Sequence, residues 1–521
     1  MQTTEKAPSL VTNRLQPSVG TVTVLTTESA PILTPTQLSL TMVVLLLVGV
    51  GLRAVALFSD RSLWLDEAML ALNLVNRTPA QLLAPLDYNQ GAPVGFLLAV
   101  KGAISAFGTS EWALRLVPFL ASLAGLASFA WITRRLLPPQ AALLAVALLA
   151  LSPYLVSYAA ECKQYASDAA IAVGLLAVAL GLLEGRGGFA RWALLAGVGA
   201  AAVWCSHPAT FVLGGIGTAL LLYAARERDL NRFLAAGLTI ACWLVSFGVC
   251  YFLCLKQLGN NKYLTDYWTD HFMPLPPKSV GDLAWLADHF VAVFSVPGGF
   301  GGSMIPLGGL AAALALIGLR ELARERWPVV VALSTTAALL LLASGLHKYP
   351  VGGRLLLFLV PLATLVVANG AWTVFDALRE KNRFAAFVLL GLVVAGGAWP
   401  TLDVLRRPMR AEPLRPVLED LRAEIQPGDR VYVYYSGVPA FIFYTREQPF
   451  PAEVVTLGQD HQDDPAALRA ELAQLHGRVW VIFSHPHNQE EMRLLATLDC
   501  RGTCERQLKR SQAAARLYRL E

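Results

Sequence analysis

Residues 93–107 read Pro-Val-Gly-Phe-Leu-Leu-Ala-Val-Lys-Gly-Ala-Ile-Ser-Ala-Phe. The stretch is apolar, but it is short and Lys101 interrupts it. A spanning helix needs about 20 mostly apolar residues, and shorter runs more often lie in the interface or re-enter. If this run crossed a bilayer, every later loop would change sides, so its reading sets the topology of the whole chain. The remaining loops decide it.

Working outward, apolar segments cover roughly 36–58, 113–132, 139–156, 167–183, 191–206, 209–225, 232–256, 303–319, 327–345, 354–375 and 385–402. Their connections alternate in character. One set is short and basic: Arg134 and Arg135; Arg186 and Arg191; Arg226, Arg228 and Arg232; Arg320, Arg324 and Arg326; Arg379, Lys381 and Arg383. Positive charge beside span ends marks the cytoplasmic side. All five clusters fall inside only if 93–107 does not cross. The expectation is therefore about eleven spans, with 93–107 an interfacial helix. The loops 59–112, 157–166, 257–302 and 346–353, a turn near His207, and the region from Asp403 onward face out.

The bulk composition agrees. The 521 residues are 55% hydrophobic and 15% charged, against about 25% charged in soluble domains. The net charge of +5 is small and sits in the basic loops, so it sets orientation and does not point to nucleic acid. Residues 1–35, rich in Thr, Ser and Pro, read as a disordered cytoplasmic tail. Residues 36–402 read as the membrane domain. Residues 403–521 change character: runs at Val431–Tyr435 and Val479–Phe483 flank a helical pattern at 464–475. That alternation predicts a small α/β domain with a partly parallel sheet. Cys500 and Cys504 can pair if this part meets an oxidising compartment. His485 and His487 flank Pro486 in a loop and read as surface residues.

This topology gathers polar residues on the outer face. The first outer loop holds Asp66 and Glu67 within Ser62-Leu-Trp-Leu-Asp-Glu-Ala-Met69, and also Tyr88 and Gln90. Arg115 follows at the next span; Glu161, Lys163 and Tyr165 lie in the second outer loop; His207 starts a later span; Lys348, Tyr349 and Arg354 surround the last outer turn. Charge at membrane depth marks functional candidates because it is costly to keep there. A carboxylate can serve as general base, and Arg or Lys can hold phosphate. Structural roles compete: Asp66 and Glu67 as acids at a helix start, Arg115 paired with Glu111, Lys163 paired with Glu161 or Asp168, His207 as a helix-start residue.

Several stretches, in their order, resemble the polyprenyl-phosphate-dependent glycosyltransferases of the GT-C fold. This superfamily includes protein mannosyltransferases, the lipid A aminoarabinose transferase and a bacterial branch grouped with the Rgt-type lipopolysaccharide enzymes. The stretches are Asp66-Glu-Ala68, Gln90-Gly-Ala-Pro-Val-Gly-Phe96, Phe107-Gly-Thr-Ser-Glu-Trp-Ala-Leu-Arg115, Glu161-Cys-Lys-Gln-Tyr165 and Tyr349-Pro-Val-Gly-Gly-Arg354. The chain departs from the family at Gln90-Gly91-Ala92, where relatives carry His or Glu-Lys.

The resemblance implies a multi-pass enzyme of the bacterial inner membrane with its site outside. It would move a sugar from a polyprenyl-phosphate donor to a glycan, lipid or protein acceptor of the cell envelope. It assigns Asp66 as general base and Glu67 as its support, or as ligand of a divalent cation if one is used. Arg354 and Lys348, then Arg115 and Lys163, would hold the donor phosphate. Tyr88, Gln90, Glu161, Tyr165, His207 and Tyr349 would line the substrate site. The competing reading from another class is a flippase for lipid-linked glycans.

Overall fold

The computed structural model describes residues 33–301, 306–406, 412–461, 464–485 and 490–521. Most of the tail read at 1–35, and His487, lie outside these residues. Helix α1 (Pro35–Leu57) opens with a capping box: Thr34 accepts the Gln37 N–H, Gln37 returns the bond, and Pro35 stands at the first helical position. Then follow α2 (Leu65–Asn76), α3 (Val94–Phe107), α4 (Glu111–Leu136), α5 (Pro139–Ala150), α6 (Pro153–Tyr158), α7 (Tyr165–Leu183), α8 (Phe189–Cys205), α9 (Ala209–Arg226) and α10 (Leu230–Cys250). A π-helical turn, Tyr251–Leu255, carries α10 into α11 (Lys256–Leu258). Next come α12 (Lys262–Tyr267), α13 (Val280–Ser295), α14 (Gly308–Gly345), α15 (Val360–Arg379) and α16 (Arg383–Arg406).

Among the described residues, eight helices are long and apolar enough to cross a membrane. The sequence reading differs from this in three places. The run at 139–156 is two short helices, because Pro153 cannot continue the hydrogen bonding of α5. The segment at 191–206 is the 17-residue α8. The runs at 303–319 and 327–345 are halves of one 38-residue helix whose backbone leaves helical geometry at Arg326 (φ −131°, ψ 40°), inside the basic cluster. The decisive segment 93–107 forms α3, only 14 residues long. Helices α14 and α15 cross closely, because a side chain on Gly318 or Gly370 would meet the backbone of the other helix.

One charge in this bundle escaped the sequence reading. Arg53 of α1 is fully buried and has no carboxylate partner among the described residues. Its guanidinium donates to Ser122 Oγ (2.7 Å) and to the carbonyls of Gly49 (2.9 Å), Ala150 (3.2 Å) and Leu149 (3.3 Å). The last two are end-of-helix carbonyls of α5 that Pro153 leaves without a continuing turn, and a cation suits that end of the helix dipole. Arg53→Met should lower stability by about 1–3 kcal/mol by leaving the Ala150 carbonyl without its donor. The thermal midpoint of the detergent-purified protein would show it.

The C-terminal part carries α17 (Leu414–Glu424), α18 (Val438–Thr445), α19 (Pro465–Leu472) and α20 (Glu490–Asp499) around five strands. These are β1 (Arg430–Val433), β2 (Val455–Leu457), β3 (Gly477–Ser484), β4 (Gly502–Arg510) and β5 (Ala513–Leu520), in the order β2-β1-β3-β5-β4. The pairs β1–β2 and β1–β3 are parallel; β3–β5 and β4–β5 are antiparallel. Alternation along the strands divides the core. Val431, Val433, Trp480 and Ile482 face α17, α18 and the Leu63 and Leu70 side chains at α2, while Tyr432, Val479 and Val481 face α19 and α20. Cys500 and Cys504 are both exposed free thiols.

Candidate active site

The loop after α1 is held from both sides before α2 begins. Tyr444 of α18 accepts the Leu63 N–H at 2.6 Å and donates to Glu111 at 3.1 Å. Glu412, itself buried, accepts the Leu65 N–H at 3.0 Å, one of the open donors of the α2 N-terminus. Its second oxygen meets His485 Nδ1 at 2.5 Å, so His485 is a partner in this contact and not the surface residue expected. Arg415 bonds Ser62 Oγ through its backbone (3.3 Å) and pairs with Glu111 and Asp60, each at 2.7 Å.

The first turn of α2 presents Asp66 and Glu67, and their surroundings separate them. Glu67 is buried and accepts from Arg115 through both oxygens (2.9 and 2.7 Å) and from the Cys162 N–H (2.7 Å). Burial alone would raise its carboxyl, but Arg115, Arg61 and the Cys162 N–H together outweigh burial and hold the acid below its ordinary range. Arg115 also donates to the carbonyls of Arg61 (2.9 Å) and Ser62 (3.3 Å). The pair thus locks the loop to α4. This changes two expectations. Arg115 pairs with Glu67, not Glu111, and its donors are already occupied, so it is poorly placed to take a phosphate. Glu67 has both oxygens engaged by Arg115 and the Cys162 N–H. Among the described residues, no three of His, Cys, Asp and Glu converge as a metal site.

Asp66 remains partly exposed, and two cations converge on its Oδ2: Arg354 at 2.5 Å and Lys163 at 4.0 Å. Arg354 lies over the rings of Trp64 and Tyr165, 5.7 and 5.6 Å from their centres, an arrangement that holds a guanidinium without neutralising it. Lys163 is buried and donates to Gln90 Oε1 at 2.6 Å. Burial pushes its ammonium below the ordinary lysine value, with Asp66 opposing and Arg354 adding to the shift. Gln164 ties the same loop to the Gly91 carbonyl at 3.3 Å. Four sequence candidates from three separate loops, Asp66, Gln90, Lys163 and Arg354, therefore meet, with Tyr165 beside them.

The other candidates are placed apart. Lys348 is exposed on the turn after α14. The Tyr349 hydroxyl donates to the Leu355 carbonyl at 3.0 Å, and its ring packs edge-on against Phe211. Glu161 is buried beside Ser157 (3.3 Å). Tyr88 is 40% exposed on the turn before Gln90. His207 lines a largely apolar cavity with Gln90, Leu97, Trp204, Cys254 and Leu258. Burial lowers its imidazole to about 4, so the ring is neutral at pH 7. Sequence reasoning missed Trp64, Glu412 and Tyr444. The Trp before Asp66 was visible; no local signal marks the other two.

Residues 91–251 match the family model described as dolichyl-phosphate-mannose-protein mannosyltransferase. The fold is that of GT-C proteins. The structure of ArnT from Cupriavidus metallidurans bound to undecaprenyl phosphate is similar with a TM-score of 0.55 at 14% identity, covering 93% of this chain and 98% of that one. The archaeal oligosaccharyltransferase AglB from Archaeoglobus fulgidus, in complex with an inhibitory peptide and a dolichol-phosphate, is similar with a TM-score of 0.51 at 13% identity, covering 92% and 74%. No curated protein matches the chain by sequence.

Proposed function

We propose that this chain is a membrane glycosyltransferase. It would take a sugar from a polyprenyl-phosphate donor and transfer it to a cell-envelope acceptor on the outer side of the bacterial inner membrane. The observation that carries the reading is Asp66 held between Arg354 and Lys163. The family-model match and the lipid phosphates named with the two similar structures support it.

In the resting site Arg354 and Lys163 balance Asp66. A lipid phosphate entering beside them competes for both cations, Arg354 as a fork and Lys163 as a point charge. Asp66 is thereby released to accept the proton of the acceptor hydroxyl. The acceptor oxygen bonds to the anomeric carbon as the carbon–oxygen bond to phosphate breaks. The electron pair leaves on the polyprenyl phosphate, and the two cations stabilise the charge that develops there. A single displacement of this kind inverts the anomeric centre. Gln90 holds the Lys163 ammonium in place.

Arg354→Met should lower turnover by roughly 10²–10³-fold, the usual effect of losing one preorganised group that stabilises developing charge. It should also weaken retention of polyprenyl phosphate by the purified protein. Transfer of labelled sugar in membranes, together with lipid retention, is the measurement. Unchanged transfer would sink the phosphate assignment. Sugar transfer left intact in extracts of deletion cells, with lipid-linked glycan accumulating inside those cells, would favour the flippase reading.

A further inference from the structure

The short helix α12 is tied down at both ends to the loops that build the Asp66 cluster. At its start, Asn261 caps it by accepting the Leu264 N–H (3.2 Å) and donates to Asn89 Oδ1 (3.1 Å), next to Gln90. Past its end, the His271 carbonyl accepts the Val351 N–H at 2.8 Å. The His271 ring packs on Gly352 so closely that any side chain there would strike it, two residues before Arg354. Helix α12 therefore bridges the loop that supplies Gln90 and the loop that supplies Arg354.

On this bridge Tyr263 and Tyr267, four residues apart, share one face. Their rings lie 6.4 Å apart and 18° from parallel, yet they are 59% and 63% exposed. Trp268 braces Tyr267 edge-on at 5.3 Å, and His271 braces Trp268 at 5.1 Å. The order of the rings is thus fixed from Gly352 outward. Burial raises the Tyr263 phenol, and Tyr267, Asp460 and Asp66 add to the shift, so this ring feels both the proposed base and a carboxylate of the C-terminal part. Rings of a membrane-interface belt have apolar neighbours on one side. Here the polar side chains of Asn89 and Asn261 meet at the start of the same helix, and Asp66 and Asp460 act on the Tyr263 phenol.

We infer that Tyr263 and Tyr267 form an acceptor subsite for a carbohydrate. A pyranose ring would stack its C–H face on the tyrosines. This rests on the transferase reading and narrows the acceptor to a glycan or the glycan part of a glycolipid. The stacking needs the ring and not the phenol oxygen, because a sugar's C–H groups meet the negative face of the aromatic ring.

The test uses the full chain in nanodiscs with polyprenyl-phosphate-linked sugar from host membranes. The acceptor probe is the oligosaccharide released by mild acid from the host envelope. Tyr263→Ala with Tyr267→Ala should raise the acceptor KM at least about tenfold. The slow loss of donor sugar to water should stay as in the unaltered chain, and Tyr263→Phe with Tyr267→Phe should restore the acceptor KM. An unchanged acceptor KM in the double alanine variant would overturn the subsite, as would a parallel loss of donor hydrolysis. If the unaltered chain consumes no donor with either water or acceptor, the transferase reading itself fails, whatever the tyrosines do.

Discussion

Asp66→Asn is expected to reduce sugar transfer by roughly 10²–10⁴-fold, the range that a positioned general base contributes. Asparagine keeps the shape of the side chain and offers a carbonyl oxygen to Arg354, so the fold and the two cations should stay in place. It cannot accept the hydroxyl proton. The same change removes a carboxylate charge that meets both Arg354 and Lys163. Polyprenyl phosphate should therefore bind somewhat more tightly in the variant even as turnover collapses. That opposed pair of effects separates a lost base from a damaged site. Transfer in membranes and retention of labelled polyprenyl phosphate measure the two halves. Full transfer by a normally folded Asp66→Asn protein would remove the base assignment.

Glu67→Gln should act on stability. It keeps the volume but leaves Arg115 as a buried cation without its counter-charge, at a cost of about 3–5 kcal/mol. The purified variant should show a large fall in thermal midpoint and poor recovery from detergent. Glu67→Leu with Arg115→Met should regain much of the loss, because removing both charges leaves no buried ion. The acidity of Glu67 adds a sign that can be checked. Its carboxyl lies below the ordinary value in the folded chain, so its contribution is fully present above the unfolded value of about 4.3. That contribution fades only as pH falls through the lower folded value. In Glu67→Gln the midpoint should lose part of its acid dependence. An unchanged midpoint would mean that the pair is not what anchors the loop to α4.

The two acids also show what a sequence can and cannot disclose. Placing them after the first apolar segment needed only run lengths and loop charges. The same signals marked 93–107 as too short to cross and found β1, β3 and the helical pattern between them. They did not separate Asp66 from Glu67, because neighbours on one helical turn share every local signal. Arg115 and the Cys162 N–H, 48 and 95 residues away, make the difference. Arg354 and Lys163 were legible because a charge near a span end is conspicuous. Arg53 lay inside an apolar run, and its partners are Ser122 and three backbone carbonyls, the latter carrying no residue-type signal. Strand β4 escaped because nearly all of its residues are exposed, and β5 because Ala513–Ala515 shows no polar alternation.

The contacts that hold the start of α2 have a consequence for how the protein is made. Leu63 and Leu65 emerge from the ribosome early, yet their N–H groups are taken by Tyr444 and Glu412, 381 and 347 residues later. During synthesis the membrane helices can insert and pack while the loop before Asp66 still lacks these partners. On the proposed transferase reading, competence then arrives as a final event, when the last fifth of the polypeptide docks. On that reading, a chain stalled or clipped after α16 would be a membrane-embedded bystander, present in the bilayer and chemically silent.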